Sequence, residues 1–484
     1  MPIFATEKKP NKQSNIFYQT MTKSKLSEKI GYGFGDMASS MFWKIFSYYL
    51  PFFYSNIFGL SLKDAGIILL VTRVWDAVSD PMMGVIADRT NTRWGKYRPY
   101  LLWVAPFFSI CGILVFSTPD FDYAAKLIWA YVTYILMMTV YTGINVPYGA
   151  MLGVVTDDSK EKTVFSSFRM FFAYGGSFLA LFLWEPMTKA FGGYNSANGW
   201  FWSMAVTAAC CFVLFLLCFL LTREHLKTVS TVSVGSDFKT LLHNRPWWLL
   251  IGAALCYNLF CTVRGASVAY FFKDIIGDGA TLVFFGIVIS FYAGLFLGLG
   301  EVSNMMGVAT TVSLANRLGK KTTFILVNAL LAVLSVIFFF IPCTPVGFWV
   351  MLVFQVLISI LTGIMSPLVW SMYADVSDYA ELKFKTASTG LIFSSSSMAQ
   401  KFGSAIGGSA ALWLLGCFGY ITDPVLLQSH PVQPQAALFC LRCLMSFIPA
   451  AVAVLAVVVV RFYPLTTDRI EQIGTELQKV RKME

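Results

Sequence analysis

The sequence has little charge. Asp, Glu, Lys and Arg make up 13% of its 484 residues, whereas hydrophobic residues make up 57%. A water-soluble domain carries about 25% charged residues, so the composition excludes an ordinary soluble protein and predicts a chain that has lipid as its solvent. A helix crosses a bilayer with roughly 20 mostly apolar residues, which leaves room for about a dozen crossings. Long, nearly unbroken apolar runs such as Phe324 to Ile341 contradict the alternating pattern of barrel strands.

Motifs of catalysis and of metal binding are also missing from the sequence. The three His lie in polar loops, the ten Cys fall in or beside apolar segments and are interpreted as small core residues, and neither a nucleophile elbow nor a Gly-rich phosphate loop is present. We therefore expect no enzyme. The net charge of +10 comes from short basic clusters between apolar runs, which predicts no binding of nucleic acid. No apolar run precedes a cleavage site between Met1 and Lys29, so we expect no cleaved signal peptide, and Met21 is an equally good start.

Apolar runs between Gly, Pro and charged residues predict twelve membrane-spanning helices in two sets of six. The first set lies near residues 30 to 58, 63 to 87, 99 to 117, 125 to 155, 163 to 189 and 199 to 222. The second lies near 247 to 275, 281 to 316, 322 to 342, 347 to 374, 386 to 420 and 436 to 462. This predicts a tail (1–28), a six-helix half (29–222), a central loop (223–246), a second half (247–462) and a C-terminal tail (463–484).

Basic residues mark every second loop, which predicts both termini in the cytoplasm of a multi-pass inner-membrane protein. They are Arg89, Arg93, Lys96 and Arg98; Lys160 and Lys162; Arg223, Lys227 and Lys239; Lys320 and Lys321; and Lys383 and Lys385. Two of these loops occupy the same place in each half, after its second helix. Their similarity indicates a duplicated six-helix unit.

Several ionisable residues interrupt the apolar helices, and such residues line a cavity or meet a partner because the membrane makes them costly. Two stripes share a helix face, and further polar residues stand singly. The stripes are Asp36, Ser40 and Lys44, and Arg73, Asp76 and Asp80; the single residues are Arg169, Arg264, Glu301 and Lys401, with Asn145 and Gln400. Structural alternatives remain: an ion pair between Arg73 and Asp76, snorkelling of Lys44, and structural ion pairs for Arg264 and Glu301.

Two carboxylates one helical turn apart suit either Na⁺ or a proton. A sugar needs donors, acceptors and a ring to stack on. Arg169 and Arg264 are candidate donors and Asp36 is a candidate acceptor. Candidate rings near these positions, each of which could equally be a packing residue, are Trp43, Tyr141, Tyr148, Trp370 and Tyr373.

One block resembles a known family. The run from Arg73 to Gly84, continued by Arg93 to Pro99, closely resembles the glycoside-pentoside-hexuronide:cation symporters, the melibiose permease family; Tyr32 to Asp36, Asp375 to Glu381, and Lys401 to Gly403 support the resemblance. It implies a major-facilitator fold of two pseudo-symmetric six-helix bundles. It also implies a cation site of Asp76, Asp80 and Thr142, completed by Ser79, which stands where the permease has Asn. This exchange makes proton coupling more plausible than sodium coupling.

The resemblance also implies a sugar site that contains Tyr141, Arg169 and Lys401, with Ser397 one turn from Lys401. The permease's Lys-Asp pair becomes Ser39-Ser40, its cavity Asp becomes Asn145 and its Trp becomes Gly149, which predicts a substrate other than melibiose. Fewer acids beside Lys44, Arg169, Arg264 and Lys401 indicate a basic cavity and an anionic substrate such as a uronide or sulfonated sugar, unless Asp36 and Glu301 neutralise it.

These features predict symport of a sugar or glycoside with H⁺ or Na⁺ by a monomer that needs no other cofactor. The two halves would rock around a midplane site. A cytoplasmic latch would pair basic loop residues with acids; its candidates are Asp88, Arg89, Arg93, Lys96, Asp157, Arg317, Lys320 and Asp375. The alternatives are a cation-coupled lipid or lysolipid carrier, which needs an apolar groove, and a membrane sensor, which would normally carry a soluble signalling domain.

Overall fold

The computed structural model describes residues 25–156, 159–225, 243–277, 279–284, 287–384, 389–422 and 432–483. Twelve long helical segments fill this part of the chain, followed by one more polar helix. The first six are α1 (Leu26–Tyr48, continued by Leu50–Phe52 and a π-helical turn, Phe53–Ile57), α2 (Leu62–Arg89), α3 (Arg98–Trp103 and Ala105–Val115), α4 (Tyr123–Val155), α5 (Ser159–Ala190) and α6 (Ala197–Leu221).

The second set begins after the central loop, of which residues 226–242 lie outside the described part. It consists of α7 (Arg245–Phe271 with a π-helical turn, Phe272–Ile276), α8 (Ala293–Leu318), α9 (Lys320–Phe338), α10 (Pro345–Phe384), α11 (Thr389–Cys417) and α12 (Gln435–Met445 and Phe447–Arg461). The final helix, α13 (Thr467–Met483), packs against α10.

The helices are suited to lipid. Among the described residues, eight helices are long and apolar enough to cross a membrane. Large apolar side chains also cover the outside of the bundle: on α2, Val74, Val78 and Met82 are 61%, 51% and 57% exposed. In water such a surface would be unfavourable, whereas in a bilayer it meets acyl chains. The chain is therefore a multi-pass membrane protein.

One predicted element is wrong. The expected helix from 281 to 316 begins only at Ala293, and the residues before it form an antiparallel pair of strands, β1 (Thr281–Phe284) and β2 (Ile287–Ser290). These strands are rich in Thr, Val and Ile, whose branched side chains favour extended backbone. Their apolar side chains continued the hydrophobic run without a break, so hydropathy alone did not separate them from α8.

Hydrogen bonds between the two halves cluster at the end of the bundle opposite the chain termini. There Ser55 bonds Tyr270 at 2.6 Å, and the Lys273 ammonium donates to Asn56 at 2.9 Å. The backbone N–H of Gly294 donates to the Glu185 carboxylate at 3.2 Å. We call this the closed end. Rings including Phe52, Trp184 and Trp200 are fully buried in the first half beside it.

Helices α8 and α10 approach closely because each has a glycine at their crossing. A Cβ at Gly307 would overlap the carbonyl oxygen of Ile360, and one at Gly363 would overlap that of Asn304. We expect Gly307→Ala to lower the midpoint of thermal unfolding in detergent, because forcing the helices apart costs about 1–3 kcal/mol. Gly84→Ala is the matched control, since a Cβ there meets nothing within 4 Å. Equal midpoints for the two variants would contradict the tight crossing.

Candidate functional site

The stripe on α2 carries two carboxylates toward the second half. Arg73, Asp76 and Asp80 are spaced by three and four residues and so share one face of the helix. The Arg73 guanidinium donates to Asp76 Oδ2 at 2.7 Å and to the Tyr134 hydroxyl at 2.9 Å. Pro81 has no N–H, so the carbonyl of Ala77 has no helical donor at this level. The ion pair between Arg73 and Asp76, which was the structural alternative for this stripe, is therefore present and involves one of the two carboxylates.

A lysine from the other half completes this cluster. The Lys401 ammonium on α11 forms an ion pair with Asp80 and lies 3.9 Å from Asp76 Oδ2, while Thr142 donates to Asp80 Oδ1 at 2.7 Å. Arg73 and Lys401 together balance the charges of Asp76 and Asp80. Three of the four predicted cation-site residues, Asp76, Asp80 and Thr142, therefore meet beside two cationic side chains in this conformation.

Two buried oxygen atoms of the cluster have no hydrogen-bond partner among the described residues: Asp76 Oδ1 and Ser79 Oγ. A buried polar atom without a partner is rare, and each one needs an explanation. Carboxylate and hydroxyl oxygens are ligands of small hard cations, and a carboxylate oxygen also binds a proton. These two atoms are the best candidates in the cluster for accepting a proton or a small cation.

A second ionic cluster lies within the first half. Arg169 Nε on α5 donates to Asp36 Oδ2 on α1 at 2.9 Å, and its guanidinium lies 5.4 Å from the centre of the Tyr148 ring. The Tyr148 hydroxyl donates to the carbonyl of Tyr32 at 2.6 Å. Asp36 and Arg169, both predicted for sugar binding, thus meet each other.

The main cavity lies between the halves and has a volume of about 260 Å³. Polar and apolar side chains both line it, and they come from α1, α5, α7, α8, α10 and α11. Ser40, Lys44 and Arg264 from the predicted sugar set line it. The Lys44 ammonium donates to Glu301 Oε1 at 2.6 Å, an ion pair between α1 and α8.

Several predicted sugar residues do not belong to the described lining of this cavity: Asp36, Tyr141, Asn145, Arg169, Trp370, Ser397 and Lys401. Tyr141 is buried beside the Trp43 ring, at 5.8 Å between ring centres, and Asn145 Oδ1 is a buried atom without a partner among the described residues. Trp370 lies beside Tyr373, and Ser397 is exposed. Their roles stay predictions.

The sequence reasoning missed three polar residues of the cavity wall. Asn304 Nδ2 lies 3.4 Å from Glu301 Oε2, and Thr362 donates to Asn304 Oδ1 at 2.9 Å. Gln355 accepts from Arg264 at 3.0 Å. An amide in a long apolar helix is the signal that could have found Asn304 and Gln355, because such groups also need partners in a membrane.

The predicted latch residues that the structure describes lie at the end that holds the chain termini. Lys320 donates to both oxygens of Asp375 at 2.7 Å, which joins α9 to α10 within the second half. Arg89 and Arg317 are exposed, and Arg93 lies over the Trp94 ring. Asp157 and the side chain of Asp88 lie outside the described residues. The latch between halves stays a prediction.

A different carboxylate orders the basic loop between α2 and α3. Glu224 accepts from the backbone N–H groups of Lys96, Tyr97 and Arg98 at 2.7 to 2.8 Å. These N–H groups belong to the start of α3, where free donors and the helix dipole favour a negative charge. The loop is therefore anchored to the end of α6.

Comparison with known proteins agrees with this architecture. The model of the MFS/sugar transport protein family matches residues 31–467. The putative glycoside/cation symporter YagG of Escherichia coli (strain K12) is 34% identical over 463 residues, covering 95% of this chain and 96% of that protein. The inner membrane symporter YicJ of the same organism is 33% identical, covering 93% and 95%.

A third relative and one solved structure extend the comparison. The isoprimeverose transporter of Lactiplantibacillus pentosus is 33% identical over 402 residues, covering 82% of this chain and 81% of that protein. The solved structure of a bacterial homologue of the human drug peptide transporters has a TM-score of 0.67 at 14% identity, covering 94% of this chain and all of that one. At that identity the likeness concerns the fold alone. Together with the family match over residues 31–467, it confirms the predicted major-facilitator architecture.

Proposed function

Because the chain belongs to the MFS/sugar transport protein family, we propose that it carries a sugar or glycoside across the membrane together with a cation. The observation that carries this proposal is the polar cavity between the two halves, which offers the amide, carboxylate and ammonium groups that hydroxyls need. The names of its relatives, a glycoside/cation symporter and an isoprimeverose transporter, support the same substrate class. The substrate would cross chemically unchanged, and the chain would not be an enzyme.

Transport would follow from rocking of the two halves around the cavity. With the closed end held by Ser55, Tyr270 and Gly294, the cavity would face the end that holds the termini. Those contacts would have to break, and the opposite end would have to close, for the substrate to leave on the other side. The basic loops around Arg93 and Lys320 lie at the opposite end, where the latch is proposed.

The cation site is proposed at Asp76, Asp80, Ser79 and Thr142. An incoming H⁺ or Na⁺ would bind the free oxygens of Asp76 and Ser79 and change the balance of charge around Lys401, which comes from the other half. Cation binding would thereby alter how the halves meet, and sugar binding would alter cation affinity by the same factor, as linkage requires. No other cofactor is needed in this scheme.

We further propose that the protein works as a monomer in the inner membrane, with both termini in the cytoplasm. The basic loops at the terminus end support this orientation, because loops rich in Lys and Arg stay on the cytoplasmic side. The name of the inner membrane symporter YicJ supports the location. The lipids that surround the exposed apolar side chains are its constant partners.

A lipid or lysolipid carrier of the same superfamily is the rival function. Such a carrier needs a groove that is apolar along the acyl chain, whereas this cavity is lined by groups such as Lys44, Glu301 and Gln355.

The direct test is uptake into proteoliposomes. Neutral glycosides, pentosides, uronides and sulfonated sugars would each be supplied under an imposed sodium or proton gradient. We expect accumulation of at least one sugar above its outside concentration, dependent on one of the two gradients. Uptake of a labelled lysolipid with no accumulation of any sugar would overturn the proposal in favour of the lipid carrier.

A further inference from the structure

The ion pair between Lys44 and Glu301 lies in the wall of the main cavity and joins the two halves. Lys44 is on α1 and Glu301 is on α8, and their charged atoms are 2.6 Å apart. The Glu301 side chain is 4% exposed and the Lys44 side chain is 20% exposed. A carboxylate as buried as that of Glu301 needs a cationic partner, because an unpaired charge that is removed from water is energetically costly.

Neighbouring side chains hold the Glu301 carboxylate in place. Lys44 occupies Oε1, and the Asn304 amide lies 3.4 Å from Oε2. Asn304 is itself fixed by Thr362 on α10, and the Lys44 ammonium also contacts the Tyr48 hydroxyl at 3.3 Å. The acid is therefore a fixed negative charge in the cavity wall.

The other cation of the described lining, Arg264, is directed away from this pair. Its guanidinium donates to the carbonyl of Met445 at 2.6 Å and to Gln355 at 3.0 Å, and it lies 4.5 Å from the centre of the Phe338 ring. The cavity thus offers a substrate an ammonium that already has its carboxylate, and a guanidinium two of whose nitrogens already donate to neutral acceptors.

We propose that Glu301 is a specificity-determining residue that makes the cavity select neutral glycosides and reject anionic sugars; this inference rests on the proposed function. The hydroxyl of a neutral sugar can donate to the Glu301 carboxylate and accept from the Lys44 ammonium at the same time, so both members of the ion pair can bind it. A sugar carboxylate or sulfonate must approach the same ammonium against the charge of Glu301. Such repulsion is a common source of discrimination between similar ligands.

The test compares matched ligands that differ by one group. Nitrophenyl glucosides and galactosides would be paired with the corresponding glucuronides and galacturonides, in both anomeric forms. Their Kd values would be measured by titration calorimetry on the full-length protein in detergent. We expect the native protein to bind the neutral member of a pair more tightly. In Glu301→Gln the ratio of the two Kd values should shift toward the anionic member by about tenfold or more, because Lys44 is then an unpaired cation.

A double variant shows whether the effect of Glu301→Gln comes from the unpaired charge of Lys44 or from a changed shape of the cavity. Lys44→Gln with Glu301→Gln leaves the cavity without the free ammonium, so the gain for the anionic sugar should disappear. Glu161→Gln is the matched control, because Glu161 pairs with Lys29 at 3.0 Å within the first half and outside the cavity, and it should leave the ratio unchanged. Calorimetry needs no transport, so it remains informative if a variant cannot change conformation.

The possible results distinguish failure of the proposed role of Glu301 from failure of the proposed transport function. A native preference for the uronide, an unchanged ratio in Glu301→Gln, or the same gain in the single and double variants would overturn the role of Glu301 and leave sugar transport standing. If the native protein neither binds these sugars nor accumulates any in the uptake assay, the proposed function fails and this inference with it.

Discussion

Replacing Asp76 by Asn should abolish accumulation of the sugar. In proteoliposomes with an imposed gradient, the inside concentration should reach only the outside concentration, a loss of about tenfold or more relative to an actively coupled carrier. Asp76 supplies one of the two buried oxygens that have no partner among the described residues, and one of the two negative charges that face Arg73 and Lys401. With Asn in its place, one carboxylate would remain beside two cations, and a third cation would no longer bind.

Asp64→Asn is the matched control for this prediction. Asp64 lies in the first turn of the same helix, where it accepts from Ser61 and Tyr123 far from the carboxylate pair, so its loss should leave accumulation intact. Binding of the neutral sugar to Asp76→Asn should remain measurable, since Lys44 and Glu301 are unchanged. Full accumulation by Asp76→Asn would place the coupling ion elsewhere.

The fold was predictable from sequence because lipid leaves the backbone few choices. Without water, each buried N–H and C=O must be bonded within its own segment, so a long apolar run is a helix. That logic located most of the twelve segments and failed at residues 281 to 290. The failure lies at the closed end between α7 and α8, where Thr281 and Ser290 pair across a short hairpin. A buried strand and a membrane helix are equally hydrophobic, so hydropathy does not tell them apart. Only the branched side chains of this segment favour strands.

The sequence predicted some residues of the cavity wall, such as Lys44 and Arg264, but not the pairings of the charged residues. Placing an ionisable side chain inside a membrane is energetically costly, which indicated that Asp76, Glu301 and Lys401 are functional or paired residues. Helical spacing then predicts contacts only between neighbours on one helix, such as Arg73 with Asp76. Lys44 and Glu301 are 257 residues apart in sequence, and Asp80 and Lys401 are 321 apart. Contacts at such separation depend on how the two halves pack, which no local pattern encodes.

The pairings also bear on the charge that a substrate meets in the cavity. Counting cationic residues along the chain indicated a basic cavity and an anionic sugar. In the structure, Arg169 pairs with Asp36, Lys44 with Glu301, and Lys401 with Asp80. Three of the four cations that supported the anionic reading are therefore neutralised by carboxylates, and the fourth, Arg264, is bound to a carbonyl and an amide.

Replacing Lys401 by Met should tighten binding of the coupling cation and slow transport. The Lys401 ammonium occupies the space between Asp76 and Asp80 in this conformation, so a cation must compete with it. Two unit charges 4 Å apart interact by about 4 kcal/mol at an effective dielectric constant of 20. Removing even a fraction of this repulsion should raise the cation affinity of Lys401→Met about tenfold or more above that of the native protein. A cation held so tightly would leave slowly, and accumulation of sugar should fall.

Cation affinity would be read from the dependence of sugar binding on sodium concentration and on pH. Lys126→Met is the matched control, because Lys126 lies at the edge of the bundle near the Phe58 ring. Sugar binding to Lys401→Met should reach half of its cation-dependent increase at a lower concentration of Na⁺, or at a higher pH where the proton is the coupling ion. The sign follows from the charge: removing an ammonium leaves the two carboxylates with a net negative site, which binds either cation more tightly. An unchanged or weaker cation dependence would mean that Lys401 helps to hold the ion and does not compete with it.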